Sequence, residues 1–288
     1  MAYRLKARLV RQDVKSTTAG RDLLYSFDEV ARFREANRGE SKPLIEYVRF
    51  SALGEAIVRT WGGEGALTSL RQGANIADDA LPKTTQATTA TLLPQDPQFA
   101  KAKPEHCVVL IDEIDKAPRD TPNDLLAEFE LLAFDVPELG LRIAADARWR
   151  PIVIMTSNSE RALPEAFLRR CLFFNIPPPS PDDMAQIVSG FIKELPGTPL
   201  FTSAFAFYEA LRREPTVRKK PGTAEFLAWC GALFRLAGQE PDKALTHKAE
   251  TDDRVLKTLI CLAKAKEDLV LAETLYKSGD WQAQPTPG

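Results

Sequence analysis

The sequence has 288 residues, 44% of them hydrophobic and 27% charged, with a formal net charge of −2; that length suits one α/β domain and a smaller companion. The near-balanced charge excludes broad attraction to nucleic acid or anionic lipid. No apolar run reaches the roughly 20 residues that cross a bilayer, and the opening MAYRLKARLVRQD lacks the apolar centre of a secretory signal, so a cytoplasmic location with no membrane or nucleic-acid partner is expected.

Residues 8–14, RLVRQDV, alternate weakly and predict a short strand leading into the loop KSTTAGRD. Asp22 is then expected to cap a helix carrying Leu23, Phe27, Val30 and Ala31, which stops near Asn37–Gly39. Residues 45–50 read as a further short strand. Leu53, Ile57, Val58 and Trp61 mark another helix, and Gly62, Gly63 and Gly65 are expected to close it. Residues 73–105 are rich in Thr, Ala, Pro and Gln, which predicts a long surface loop or insertion.

The most informative stretch is 107–130, CVVLIDEIDKAPRDTPNDLLAEFE. Its five-residue apolar run predicts a strand buried on both faces, hence a parallel sheet covered by helices. The run ends in two adjacent carboxylates, Asp112 and Glu113, which leave the strand in different directions. One such acid can hold a hydrated Mg²⁺ while the other orients or deprotonates a water; a strand that merely ends in surface acids is the plainer alternative. A helix follows, with Thr121 as cap, Pro122 in its first turn, Asp124 at the capping-box position and Leu125, Phe129 and Leu132 as its buried stripe.

Residues 142–147 suggest a hairpin arm, and 151–155 a second buried strand ending in Thr156, Ser157 and Asn158. A short helix at 164–170 and a third apolar strand at 172–176 come next. Pro177, Pro178, Pro179 and Pro181 then stop regular structure and mark a domain boundary. Beyond them only helical stripes occur: Met184 to Ile192, Phe205 to Leu211, Phe226 to Phe234, and one long final helix over 252–276 before a frayed tail. The expected domains are 1–178, 179–278 and the tail 279–288. Cys107, Cys171, Cys230 and Cys261 are far apart in apolar settings with no zinc-type spacing, as expected of core thiols in a reducing compartment.

Asn158 and the Asp112–Glu113 pair both end buried strands. Ligands of open α/β sheets bind outside the carboxyl ends of the strands, so these residues are expected to face one crevice; a simple turn asparagine is the alternative. The run 107–130, then PIVIMTSNSERALPEAFLRRCLFFNIPPP, together with KSTTAGRDLLYSFDEVARF upstream, resembles the MoxR-type ATPases of the AAA+ superfamily over roughly residues 8–236. The resemblance implies a P-loop NTPase-like parallel sheet with helices on both faces, followed by an all-α lid domain. It implies ATP and Mg²⁺ as cofactors, a ring of like or unlike subunits (a hexamer in the family), and partners bearing a von Willebrand A domain. By the same resemblance Asp112 is the Walker B ligand of Mg²⁺, Glu113 activates the attacking water and Asn158 is the sensor-1 residue. Arg170 or Arg169 is the arginine finger that reaches a neighbour's nucleotide. Arg218, Lys219 and Lys220 fall at the sensor-2 position, where surface basic residues are the alternative.

The departure from that family is as informative as the match. No Gly-Lys-Ser or Gly-Lys-Thr occurs in the sequence, and the nearest glycine cluster, Gly62-Gly63-Glu64-Gly65, carries an acid and no lysine. The backbone cradle and lysine that grip phosphates are therefore missing. The expectation is a chain cut before the family's first core strand and P-loop, with weak ATP binding. The alternative is a non-catalytic scaffold subunit that donates an arginine finger to an intact neighbour.

Overall fold

The computed structural model describes residues 2–39, 42–71, 81, 92–158, 161–236, 242–245 and 253–282. The chain divides into two compact units, Met1–Phe174 and Asn175–Gly288. The first unit is α/β and the second is helical among its described residues.

Three parallel strands order the first unit: β1 (Arg8–Asp13), then β4 (Cys107–Asp112), then β7 (Ile152–Met155), with β4 in the middle. Two antiparallel strand pairs accompany them, β2 (Tyr25–Phe27) with β3 (Val48–Phe50), joined through a helix, and the hairpin β5 (Ala133–Val136) with β6 (Leu141–Ala144). Register aligns Val10, Val109 and Val153 on one face, with Cys107, Ile111 and Met155 beside them. That face joins the main core with Leu53 and Ile57 of the helix Ala52–Arg59. The opposite face aligns Leu9, Val108 and Ile152, and here Leu9 is 55% and Ile152 41% exposed. The central strand β4 is covered on both faces as its apolar run predicts, with Val108 2% exposed on this second face, and the exposure falls on the flanking strands.

Several local expectations resolve differently. The helix of the first segment runs Glu29–Asn37 and is capped by Asp28, whose carboxylate accepts from the Ala31 amide. Asp22 instead accepts from the Ala19 amide in a short 3-10 turn ahead of β2. The glycines at 62–65 open the helix Gly62–Arg71 and do not close the previous one. Gly62 and Gly63 permit close approach: a Cβ on Gly62 would stand 2.6 Å from the Ala102 carbonyl oxygen and one on Gly63 2.2 Å from the Phe99 carbonyl oxygen. Most of the expected 73–105 loop lies outside the described residues, but Leu92, Leu93 and Phe99 are core residues. The helix after β4 breaks at Leu125 into Thr121–Asp124 and Leu126–Leu131.

The expected strand at 172–176 does not form. Leu172, Phe173, Phe174 and Ile176 are 78–104% exposed and belong to no strand, and among the described residues β7 is the last strand on that side of the sheet. An apolar run records the capacity to be buried; a strand also needs a neighbour to complete its backbone hydrogen bonds, and that is a non-local condition.

The second unit packs the helices Pro181–Ser189, Pro199–Arg213, Thr223–Leu236, Asp253–Thr258 and Lys266–Ser278 around Phe207, Tyr208, Phe226 and Trp229. Ser180 and Asp183 form a reciprocal capping box at the start of the first of these helices. The single long helix expected over 252–276 is interrupted by a 3-10 turn at Leu259–Cys261, and residues 251–252 lie outside the described residues. Trp281 is buried and stacks on Tyr276, so the chain stays packed two residues past Gly279; 283–288 lie outside the described residues. Among the described residues no helix is long and apolar enough to cross a membrane. All four cysteines are free, and burial pushes the thiols of Cys107 and Cys230 up to about 12, so they are inert at neutral pH.

Candidate functional site: a carboxylate cluster at the sheet's carboxyl end

The three parallel strands run out together, with Asp13 of β1 in register with Asp112 of β4, and β7 ending one residue before Thr156. The β4–β7 ladder continues past the strands. The Thr156 amide donates to Ile111 at 3.0 Å, and the Ile114 amide to Thr156 at 2.9 Å. Thr156 and Asn158 are thereby carried beside the two carboxylates by backbone pairing alone.

Thr156 links the pair. Its hydroxyl accepts from the Glu113 amide at 2.9 Å and donates to Asp112 Oδ1, so both capacities of that oxygen are used and its proton is directed at Asp112. The other Asp112 oxygen accepts from Arg11 Nη2 at 2.7 Å, and Arg11 also donates from Nε to Asp13 at 2.9 Å. Asp13 first, then Asp112 and Glu113, hold the Arg11 guanidinium above its ordinary range.

Glu113 has φ 59° and ψ 52°, a left-handed backbone that an L residue with a long side chain rarely adopts. The neighbouring hydrogen bonds impose it: the amide is held by Thr156, and the carbonyl accepts from the Lys116 amide at 3.0 Å. The turn sends the Glu113 carboxylate away from Asp112 and toward Asn158, whose Nδ2 donates to Oε1 at 2.8 Å, while Lys116 Nζ pairs with Oε2. Behind them Asp115, 2% exposed, accepts from the Asn158 amide at 3.4 Å. Asp112, Glu113 and Asn158, nominated from sequence, thus share one hydrogen-bonded cluster.

The arginine pair lies apart from that network. Arg169 is 78% exposed and pairs with Glu165 one turn earlier, while Arg170 donates to Glu130 at 3.2 Å and to the Ala166 carbonyl at 2.9 Å. In the second unit, the amides of Arg218 and Lys219 donate to the two oxygens of buried Asp268, at 3.0 and 3.1 Å. That carboxylate shapes the basic turn ahead of the helix Thr223–Leu236.

Arg11, Thr156, Lys116 and Asp115 were not nominated as site residues. Thr156 stands two residues before Asn158, so a hydroxyl at a strand end was visible; Arg11 becomes a partner of Asp112 only through the β1–β4 register. Among the described residues no group of three or more His, Cys, Asp and Glu is gathered to hold a metal ion. Asp112 still offers the hard oxygen that Mg²⁺ takes when waters and substrate phosphates complete its shell. The Thr156 hydroxyl holds the other oxygen, Oδ1, and fixes the plane of the carboxylate, while Arg11 occupies Oδ2 and would have to release it before a cation could reach that oxygen. Compared with models of known protein families and with curated proteins, the chain matches none.

Proposed function

We propose that this chain is a MoxR-like member of the AAA+ superfamily that has the carboxylate-and-amide half of an ATPase site. The observation that carries the reading is the cluster itself: adjacent acids at the end of the central parallel strand, one oriented by Thr156 and the other by Asn158, both just past the end of β7. Hydrolysis of a phosphoanhydride needs this arrangement, because one carboxylate must face a cation while a second, differently directed, faces water.

In this reading Asp112 would hold Mg²⁺, which supplies neutralisation of phosphate charge when bound with ATP. Glu113 accepts the proton of the attacking water once Lys116 lets go of its Oε2. Asn158 keeps the Glu113 carboxylate on that side and offers an amide to a phosphate or water oxygen without adding charge. Arg170, or Arg169 beside it, is available to a neighbouring subunit's nucleotide once its hold on Glu130 is given up. Arg218, Lys219 and Lys220 supply positive charge on the helical unit. The resemblance extends the proposal to a ring of subunits and to partners with a von Willebrand A domain. The sequence has no phosphate-gripping Gly-Lys-Thr or Gly-Lys-Ser element, so weak nucleotide binding is expected. Calorimetric titration of the 288-residue chain with Mg-ATP tests this: micromolar affinity would refute it.

A second reading, a non-catalytic subunit that lends an arginine to an intact neighbour, is favoured by one specific observation. Both acids are already partnered by the chain's own cations, Arg11 and Lys116. Co-purification with a complete paralogue whose hydrolysis falls on Arg170→Ala would select this reading over the first.

A further inference from the structure

We infer that Asp13 is a second carboxylate of the cation site at Asp112, and that Arg11 is the built-in competitor of that site, lowering its affinity for a divalent cation until the guanidinium swings out. Strand alternation and register bring the three side chains together. Arg11 and Asp13 stand two residues apart on β1 and so on one face of the sheet, and Asp13 is the in-register partner of Asp112 on β4. Two carboxylates thus leave the ends of neighbouring parallel strands on the same side, with a cationic side chain one step behind them.

The guanidinium reaches forward and sits between the acids. Arg11 Nη2 is 2.7 Å from Asp112 Oδ2 and 2.8 Å from Asp13 Oδ1, and Nε donates to the same Asp13 oxygen at 2.9 Å. One nitrogen therefore meets a carboxylate oxygen from each strand. That is also the donor set of a hard cation, since Mg²⁺ is held through one or two carboxylates while waters and phosphates complete its shell. A positive group is already seated there, and it belongs to the chain.

The two holds on Asp112 differ in kind. Thr156, anchored by its amide to the Ile111 carbonyl, grips Oδ1 and fixes the carboxylate plane. Arg11 grips Oδ2 from a side chain that is 56% exposed, and Asp13 is 66% exposed, so the guanidinium can leave for solvent without opening the core. Exposed ion pairs are weak, which makes this a competition of about tenfold in affinity and not an absolute block. The plainer alternative is charge that merely keeps the edge strand β1 from recruiting another strand; it predicts no change in cation binding when Arg11 is removed.

The inference rests on the proposed reading in taking Asp112 as a cation ligand, but its test needs no nucleotide. Mn²⁺, which takes the same oxygen ligands as Mg²⁺, is titrated into the full 288-residue chain, and free Mn²⁺ is followed by its electron paramagnetic resonance signal. Arg11→Gln is expected to bind about tenfold more tightly than the wild type. The gain is expected to vanish when Arg11→Gln is combined with Asp13→Asn or with Asp112→Asn. Circular dichroism of the Arg11 and Asp13 variants should be unchanged, because both side chains are exposed; if the Asp112 variant fails to fold, those two decide. Equal affinity in the wild type and Arg11→Gln, lost on Asp112→Asn, would overturn the inference and leave Asp112 as the cation ligand of the proposed reading. A gain that survives Asp13→Asn would overturn the assignment of Asp13. An absence of binding by Arg11→Gln would overturn the inference alone, since Mg²⁺ can arrive with ATP, whereas binding indifferent to Asp112→Asn would overturn both.

Discussion

Replacing Arg59 with methionine tests how the first unit supports the strand that bears the carboxylates. Arg59 ends the helix Ala52–Arg59 with its side chain 1% exposed. Its guanidinium meets Glu55 at 2.7 Å, Asp96 at 2.9 Å and Glu105 at 3.1 Å, and lies 5.3 Å from the centre of the Phe99 ring. Asp96 and Glu105 bracket the segment that leads into β4, so one buried cation clamps the entry to that strand. Removing one partner of a buried ion pair costs about 3–5 kcal/mol, because the remaining charge is left unpaired.

Here the lower end applies. Arg8 also reaches Glu105 at 2.9 Å and Asp96 at 3.6 Å, and the three carboxylates keep 14–32% side-chain exposure. A loss of about 3 kcal/mol corresponds to roughly 6–12 °C in Tm for a unit of this size. The two units need not unfold together, so the assay is hydrogen exchange at the β4 amides alongside calorimetry. The pH dependence has a definite sign. Arg59 holds the Asp96 carboxyl below its ordinary value, so that stabilisation is complete above the usual aspartate range, about pH 4, and is lost as pH falls through the lowered value. The wild-type advantage over Arg59→Met should therefore shrink below about pH 4. A cost below about 1 kcal/mol, or a difference that stays constant from pH 7 to pH 3, would refute the clamp.

Three further outcomes are expected. Thr156→Val deletes the hydroxyl that serves both acids and should cost about 1–3 kcal/mol; faster exchange of the Glu113 amide reports it, and Thr156→Ser should restore protection. Gly63→Ala places a methyl against the Phe99 and Ala100 carbonyls, 2.2 and 2.4 Å away, so about 1–3 kcal/mol is lost by overpacking, as urea denaturation would show. Asp268→Ala orphans the amides of Arg218 and Lys219, with a cost of about 1–3 kcal/mol confined to exchange rates in the helical unit.

Much of the candidate site could be read along the chain because its acids sit where an apolar run stops. The run from Cys107 forces a buried strand, and the polar residues after it must emerge at the strand's end whatever the rest of the fold does. The same holds for Asn158 after Ile152–Met155. Composition and periodicity likewise separate the first unit, with its short strands, from a second unit carrying only helical stripes. Misreadings fall where a residue's role depends on a neighbour distant in sequence. The glycines at 62–65 look like a helix stop until the turn at Phe99 presses against them. Residues 172–176 look like a core strand until the sheet of the described residues is seen to end at β7.

By itself the sequence determined which segments could be buried and which side chains would stand at their ends, since hydrophobic patterning and strand alternation are local properties. Only the tertiary structure decided which strands lie side by side, and hence that Arg11 meets Asp112, Thr156 bridges both acids and Asn158 turns to Glu113. Those contacts depend on parallel register between segments about one hundred residues apart or more than forty apart. Hydrogen bonds between backbones set that register, and their partners are not encoded in either segment alone.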